Sequence, residues 1–411
     1  MENKRLPKLC NSLVCTGCAA CSNSCPKDAI QMIAGIDGFL HPVIYEKECV
    51  QCLACEKACP VLNPAKYGTN KEDPDIFACW NKDSQIRAES SSGGAFSALA
   101  TAIFTQGGYV AGAAYNKNMQ VVHQLCHSMN DLKRLRGSKY VQSSIGNLYR
   151  DIKEKLIEGN LVLFVGTPCQ IAGIQAYLKK SYENLYCCDF ICHGTPSPLL
   201  FNKYLHWIEN TKQIKINSFN FRHKRSGWYD ATRVANGNYY MKGKFDAYFF
   251  GFNRDISLRE SCYRCPAIGL PRKGDITIAD YWGIGMKYKF EALKEIPNGI
   301  SLVMVNNDKG MILFDNAKPY LHWEYGHFDE ALSRNQPMIK PSNRPLSRDT
   351  FYSDMDTLSF DKLRRKYFQI KGKARLIAWF RENAPRKYII GVRKIIHIII
   401  WKHNGSKTLQ E

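Results

Sequence analysis

Eight cysteines near the amino terminus fall into two runs of one spacing. Cys15, Cys18, Cys21 and Cys25, followed by Pro26, read C-x2-C-x2-C-x3-C-P, and Cys49, Cys52, Cys55 and Cys59, followed by Pro60, repeat that pattern 34 residues later. Two-residue gaps let three thiolates grip one face of an iron-sulfur cubane, while the fourth cysteine of each run reaches across to the other cluster. The spacing therefore predicts two 4Fe-4S clusters, one held by Cys15, Cys18, Cys21 and Cys59 and the other by Cys49, Cys52, Cys55 and Cys25. Single-electron exchange is the chemistry such centres supply. A pair of zinc knuckles is the alternative, but zinc needs four ligands per site and gains nothing from two interlocked runs that end in Pro. Cys10 lies outside the pattern and reads as an ordinary cysteine.

Over residues 1–65 the chain resembles bacterial two-cluster ferredoxins, with PVLNP after the second run as a departure that does not touch the ligands. Four further cysteines stand apart: Cys169 in GTPCQ, Cys192 in ICHG, and Cys262 with Cys265 in SCYRCP. Convergence of these four on one face would make a third 4Fe-4S site. A structural zinc, or buried thiols acting as small hydrophobes, are the other readings of the same spacing. Cys79, Cys126, Cys187 and Cys188 read as buried thiols of that last kind.

The elements that must position these residues alternate between strand and helix. DIFACW is a buried strand followed by SSSGGAFSALATAIF, a turn entering a helix; LVLFVGTPCQIAGIQAYL (161–178) and LYCCDFICHGTPSPLLFNKYL (185–205) repeat the theme. Such alternation predicts an α/β body with a mostly parallel sheet and its sites at the carboxyl ends of the strands. No G-x-G-x-x-G follows a strand, so a Rossmann-type nucleotide site has no support in the sequence. Ser90 to Gly94, before a helix start, offers another way to hold phosphate, though an ordinary serine cap explains it equally well.

The strings SSGGAFSALA, RGSKYVQS (136–143), VGTPCQIAGI (165–174), FICHGTPSP (190–198), FRHKRSGW (221–228), SCYRCP (261–266) and RKGDITIADYWGI (272–284) resemble, in order and spacing, the family of coenzyme F-420 hydrogenase/dehydrogenase β-subunits. The likeness runs from about residue 75 to 340. It implies an FAD-containing iron-sulfur protein that moves electrons between clusters, flavin and a second acceptor. It also implies that Ser92, Gly93, Gly94, Ser138, Lys139 and Tyr140 lie around FAD, and it favours the third cluster on Cys169, Cys192, Cys262 and Cys265. Related members reduce deazaflavin, reduce groups on chlorophyll precursors, or act in polysaccharide gene neighbourhoods, so the family does not fix the substrate.

Within that reading His193 is a candidate proton donor, with His223 as a second choice. A solvated or structural turn histidine is the plainer alternative. Lys139, Arg222, Lys224 and Arg225 could stabilise a flavin anion or an acidic substrate, or form a solvated basic loop. Asp275 and Asp280 read as carboxylates sharing one strand face. No Ser-His-Asp or metalloprotease arrangement is present, so hydrolysis is unsupported.

Charge is uneven. Lys plus Arg against Asp plus Glu count 6 to 6 over residues 1–65, 37 to 26 over 66–350 and 14 to 5 over 351–411. Three parts follow: the ferredoxin-like module, a flavin-binding body (66–350) and a basic helical tail (351–411). The tail could lie on an anionic membrane surface or pack on the body, and Ile389 to Trp401 is too short and charged to span a bilayer. No recognition motif for nucleic acid accompanies the basic residues. With no apolar run of membrane length and no secretory signal, the chain is expected in the cytoplasm, with the inner membrane face as its one alternative site. The expected function is a flavin and iron-sulfur oxidoreductase taking electrons from a ferredoxin-type partner to an unidentified organic acceptor. The rivals are a non-catalytic electron-transfer subunit serving a partner enzyme, and an inert scaffold docked by a ferredoxin domain.

Overall fold

The computed structural model describes residues 5–64, 70–229, 232–241 and 246–369. Its centre is an eight-stranded sheet built from β3 (Asp75–Asn81), β4 (Tyr109–Tyr115), β5 (Val121–Cys126), β6 (Val162–Gly166), β7 (Leu185–Phe190), β11 (Ile276–Asp280), β12 (Ser301–Val305) and β13 (Leu321–Tyr325). Their order across the sheet is β13-β3-β12-β11-β7-β6-β4-β5. Strands such as β12 (SLVMV) are apolar without alternation because both faces of the sheet are covered. The chain is an α/β protein, as its alternating pattern predicts.

The sheet is mixed rather than mostly parallel. β11, β7, β6 and β4 pair in parallel, three junctions in all, whereas the other four junctions are antiparallel. The parallel strands are those followed or preceded by long crossover helices, which parallel neighbours require. A following helix does not by itself set direction, since β3 precedes the helix Ala95–Phe104 and still pairs antiparallel with both neighbours. Cys79, Cys126 and Cys188 are buried in the core on one face of the sheet, and Cys187 in that on the other.

Residues 5–64 form a small module with two short helices, Ala20–Asn23 and Ala54–Lys57, and a hairpin of β1 (Ile30–Ala34) and β2 (Leu40–Ile44). It is packed into the body. Cys18, Ala19 and Ala20 belong to one core cluster with Tyr149, Ile152, Ile171 and Ile174, and Phe39 is fully buried in another. Arg150, on the helix Leu148–Ile157, donates to the carbonyls of Ser22, Asn23 and Cys25 at 3.1, 2.9 and 2.8 Å and pairs with Asp28 at 2.7 Å. Docking thus rests on packing and hydrogen bonds more than on long-range charge.

A second aromatic core joins the helix Pro198–Lys212 to a three-stranded sheet of β8 (Phe219–His223), β9 (Thr232–Ala235) and β10 (Tyr239–Met241). Two helices at the start of the segment read as a basic tail, Arg348–Thr357 and Phe360–Tyr367, complete it, as the packed alternative for that segment has it. Phe351, Met355, Phe360 and Leu363 are buried there. The body therefore continues to residue 369, since these apolar faces gain more from the core than from water. The rest of the basic tail lies outside the described residues. Among the described residues no helix is long and apolar enough to cross a membrane.

Candidate functional site

Cys15, Cys18, Cys21 and Cys59 line one small recess, with Leu9, Met32, Pro42, Pro60 and Val61 around them. Local backbone geometry explains how. Gly17 and Ala19, either side of Cys18, have φ of 69° and 62°; Gln51 and Leu53, either side of Cys52, have 56° and 57°. A left-handed conformation at a non-glycine residue costs about 1–2 kcal/mol, and here it recurs at matching positions of both runs. Alternating handedness turns successive amides into a concavity that suits an anionic cluster. Among the described residues no group of three or more His, Cys, Asp or Glu could hold a single metal ion. Thiols lining one recess are the type of donor that a 4Fe-4S cluster takes.

Cys10 stands in the same recess. Its thiol hydrogen-bonds Cys15, and that bond is the largest influence lowering the Cys15 thiol, followed among the stabilising contacts by His41 and the Arg259 guanidinium. Burial pushes the Cys18 thiol up to about 11. In the second run, Cys55 is buried and feels Cys25 and Cys52, and its thiol is pushed up to about 11, first by burial. Cys25 accepts from the Ala29 amide at 3.2 Å. Cys52 is exposed, and Cys49 is half-buried beyond the turn Glu46–Glu48.

A third thiol group gathers at the carboxyl edge of the parallel strands. Cys169 is the second residue of the helix Pro168–Leu178, which Pro168 starts and where the Thr167 amide donates to Gln170 Oε1 at 3.0 Å. Cys192 lies two residues beyond β7, and Cys262 and Cys265 come from the turn Glu260–Arg264 and its end. A Cβ on Gly194 would stand 3.3 Å from Cys262 Cβ, which brings the Cys192 turn against the Cys262 turn. The four thiols are within electrostatic reach of one another. Burial first, then Cys265, Cys192 and Cys262, push the Cys169 thiol well up; burial, then Cys262 and Cys265, do the same to Cys192.

One contact joins the first and third groups. A Cβ on Gly173 would lie 2.9 Å from Cys18 Cβ and 3.2 Å from its Sγ. Glycine inside a helix costs roughly 1 kcal/mol against alanine, so close approach of the cysteine loop is what this position gains. Gly173 is one turn from Cys169, about 6 Å along the axis. Tyr149 lies at the same junction, its hydroxyl donating to the Gln170 carbonyl at 2.9 Å, and after burial it is Cys18 and Cys169 that most oppose its ionisation.

The residues expected around FAD adjoin one another. Ser91 Oγ accepts from the Ser138 amide at 2.8 Å, joining the two loops. Their polar atoms are engaged within the chain, however. Ser92 Oγ donates to the Ile300 carbonyl at 2.8 Å, and a Cβ on Gly93 would lie 2.6 Å from the Ser301 nitrogen, so the glycine serves strand packing. Gly94, at φ 94°, starts the helix Ala95–Phe104. Lys139 Nζ caps the helix Met129–Leu135 by donating to the carbonyls of Leu135, Arg136 and Gly137 at 3.1–3.2 Å, and burial pushes its ammonium down to about 7. Tyr140 packs among Phe221, Phe249 and Phe252. Ser92 Oγ and Lys139 Nζ are thus engaged within the chain.

His193 Nε2 lies 2.6 Å from Asp255 Oδ1, with its ring against Phe252. Arg222 pairs with Asp280, which also accepts from Trp228 Nε1 at 2.6 Å. Lys224 donates to the carbonyls of Arg87, Ser92 and Asn298, Arg225 lies over Tyr240, and His223 Nδ1 accepts from the Arg225 amide. The basic run is thus a structural brace. Asp275 precedes β11 and accepts from the Cys187 amide at 2.7 Å and Asn307 at 2.9 Å, so it does not share a site with Asp280. Five residues separate the two, and an odd offset places strand residues on opposite faces.

Gly173, Tyr149 and Arg259 went unmarked in the sequence, and Cys10, read there as an ordinary cysteine, lines the recess of the first group. A glycine in the middle of an apolar helix and an arginine three residues before a C-x2-C pair were the available signals.

A two-helix module bearing paired cysteine runs, seated on a mixed α/β body that gathers four more thiols, defines an iron-sulfur redox protein. Residues 14–63 match a 4Fe-4S dicluster domain. Residues 76–149 and 159–330 match the N-terminal and C-terminal models described as coenzyme F420 hydrogenase/dehydrogenase, beta subunit. The chain belongs to that family. It is 30% identical over 181 residues to one subunit of the F(420)H(2) dehydrogenase of Methanosarcina mazei, covering 42% of this chain and 51% of that protein. It is also 36% identical over 102 residues to an uncharacterized polyferredoxin-like protein of Methanocaldococcus jannaschii, covering 21% of this chain and 61% of that one. The chain thus spans about half to three-fifths of the length of these curated relatives. A chain of the F420-reducing NiFe hydrogenase complex from Methanosarcina barkeri is similar at 12% identity and a TM-score of 0.45, over 73% of this chain and 94% of that one.

Proposed function

We propose that the chain is an electron-transfer subunit, taking single electrons from a ferredoxin-type partner at the module and delivering them from the body to a partner oxidoreductase. The observation that carries this reading is the Gly173 contact, which seats the Cys18 loop on the helix that bears Cys169. Clusters of the 4Fe-4S type, held by Cys15, Cys18, Cys21 and Cys59, by Cys49, Cys52, Cys55 and Cys25, and by Cys169, Cys192, Cys262 and Cys265, would supply one-electron chemistry. The protein's part is to fix those thiols in three groups, shield the inner two from water, and leave Cys52 at the surface for a docking partner. Engagement of Lys139 and the Ser92–Gly94 loop within the chain favours this reading over direct reduction of an organic acceptor with FAD. His193 and Lys139 then serve as structural residues rather than proton donors.

The test is to reduce anaerobically reconstituted protein with dithionite and offer acceptors in turn. Reoxidation by redox proteins such as ferredoxins, and not by deazaflavin or other small organic acceptors, is the expected result. Rapid turnover with a small acceptor alone, together with stoichiometric bound FAD, would return the assignment to a stand-alone flavin enzyme.

A further inference from the structure

Arg259 is 1% exposed, and its guanidinium has only neutral direct acceptors among the described residues. Nε donates to the Cys15 carbonyl at 2.7 Å, Nη1 to Gln142 Oε1 at 3.1 Å, and Nη2 meets His41 Nδ1 at 3.2 Å. A Cβ on Gly17 would stand 2.9 Å from Nη1 and 3.2 Å from Cζ, so the cation lies against the loop between Cys15 and Cys18. Asp37, a carboxylate that feels this charge, faces the other ring nitrogen of His41 at 3.8 Å. On the other side, the Arg259 carbonyl accepts from the Cys262 amide at 2.9 Å. One residue thus touches the ligand loops of both the inner module group and the third group.

Two other buried arginines, Arg272 and Arg348, are matched by acids. Arg272 has the fully buried Asp189 at 3.2 Å, and Arg348 has Glu260 at 2.9 Å. A buried cation with no carboxylate against it is strongly unfavourable, because removal from water is repaid only by an opposite charge in good geometry. Four thiolates around a 4Fe-4S core carry net negative charge, and they are the counter-charge this site would provide.

We propose that Arg259 is the buried cation shared by the inner module cluster and the third cluster, a positioning and tuning residue that raises both reduction potentials, the inner one more. The inference rests on the three-group reading of the thiols. Positive charge and hydrogen bonds near a cluster stabilise its reduced, more negative state, and net charge and burial are the levers by which proteins set cluster potentials.

The test is an EPR-monitored redox titration of the full chain, reconstituted anaerobically, as wild type, Arg259→Gln and Arg259→Lys. Expected is a tenfold shift of the inner cluster toward the oxidised form in Arg259→Gln, about 59 mV for one electron, with a smaller shift in the third cluster and none in the outer one. Arg259→Lys should recover most of it. Unchanged potentials in an Arg259→Gln protein that holds as much iron as wild type overturn the inference alone. A wild type with only the module's iron overturns the three-group reading and the inference with it. If the glutamine variant takes up less iron, recovery of iron in the lysine variant supports the role of charge, and equal loss in both overturns it.

Discussion

The two cysteine runs of the module have the same spacing and the same pair of left-handed residues, yet they sit in different surroundings. The ligand group built on the first run is sunk against the body: Cys15, Cys18 and, reaching in from the second run, Cys59 are buried, Cys18 meets Gly173, and Arg259 packs on the Cys15 loop. The group built on the second run keeps only Cys55 buried, with Cys49 and Cys25 half-buried and Cys52 exposed. An identical ligand motif thus becomes an outer terminal or an inner one according to what the body packs against it. That asymmetry gives a symmetric module a direction.

If burial sets that difference, an iron chelator should strip the outer group well before the inner one, followed by EPR as two separate losses. Simultaneous loss would mean that the surroundings do not distinguish the runs. Filling the inner junction should be the most damaging single change. Gly173→Val places a branched side chain into Cys18 and is expected to cost about 3 kcal/mol in urea unfolding. It should also disturb the inner EPR signal while sparing the outer one.

Arg150→Ala removes three carbonyl contacts and the Asp28 pair at the half-exposed edge of the docking surface. A loss of about 2 kcal/mol is expected, read as faster hydrogen exchange confined to the module. Protection spread evenly over the chain would argue against local docking.

The smallest effect belongs to His123 on β5, whose amide donates to the Ser144 carbonyl at 2.8 Å. Burial pushes its imidazole down to about 4 from an ordinary value of 6.5. As pH falls below 6.5 the unfolded chain takes up the proton first, so stability present above 6.5 is lost toward pH 4. The slope should be roughly 1 kcal/mol per pH unit, measured by urea unfolding of iron-free protein, and His123→Gln should flatten it. An unchanged slope in the variant would locate the acid sensitivity elsewhere.

The cysteine runs were legible in the sequence because cluster ligation is mostly local, set by gaps of two and three residues. The strand-turn-helix units around Gly166 and Cys192 were legible for the same reason. Strand direction was not, since β12 and β13 carry no pattern that separates a parallel neighbour from an antiparallel one. The tail's first two helices were read by their charge, but Phe351 and Leu363 decide their place through contacts far away in sequence. The flavin loops looked free because their serines, glycines and lysine are the residue types that grip phosphate. Their partners, such as Ile300 and Leu135, show up only in the folded chain. Arg259 is the clearest case, for nothing near it in sequence announces Cys15, 244 residues away.

The count of iron and acid-labile sulfide in anaerobically reconstituted protein, taken beside Cys169→Ala, tests the relay most directly. Three thiol groups predict about twelve irons per chain, falling to about eight in the variant with the module's spectrum intact, at four irons per cluster. About eight irons in both proteins would leave the body without a centre of its own and contradict the account.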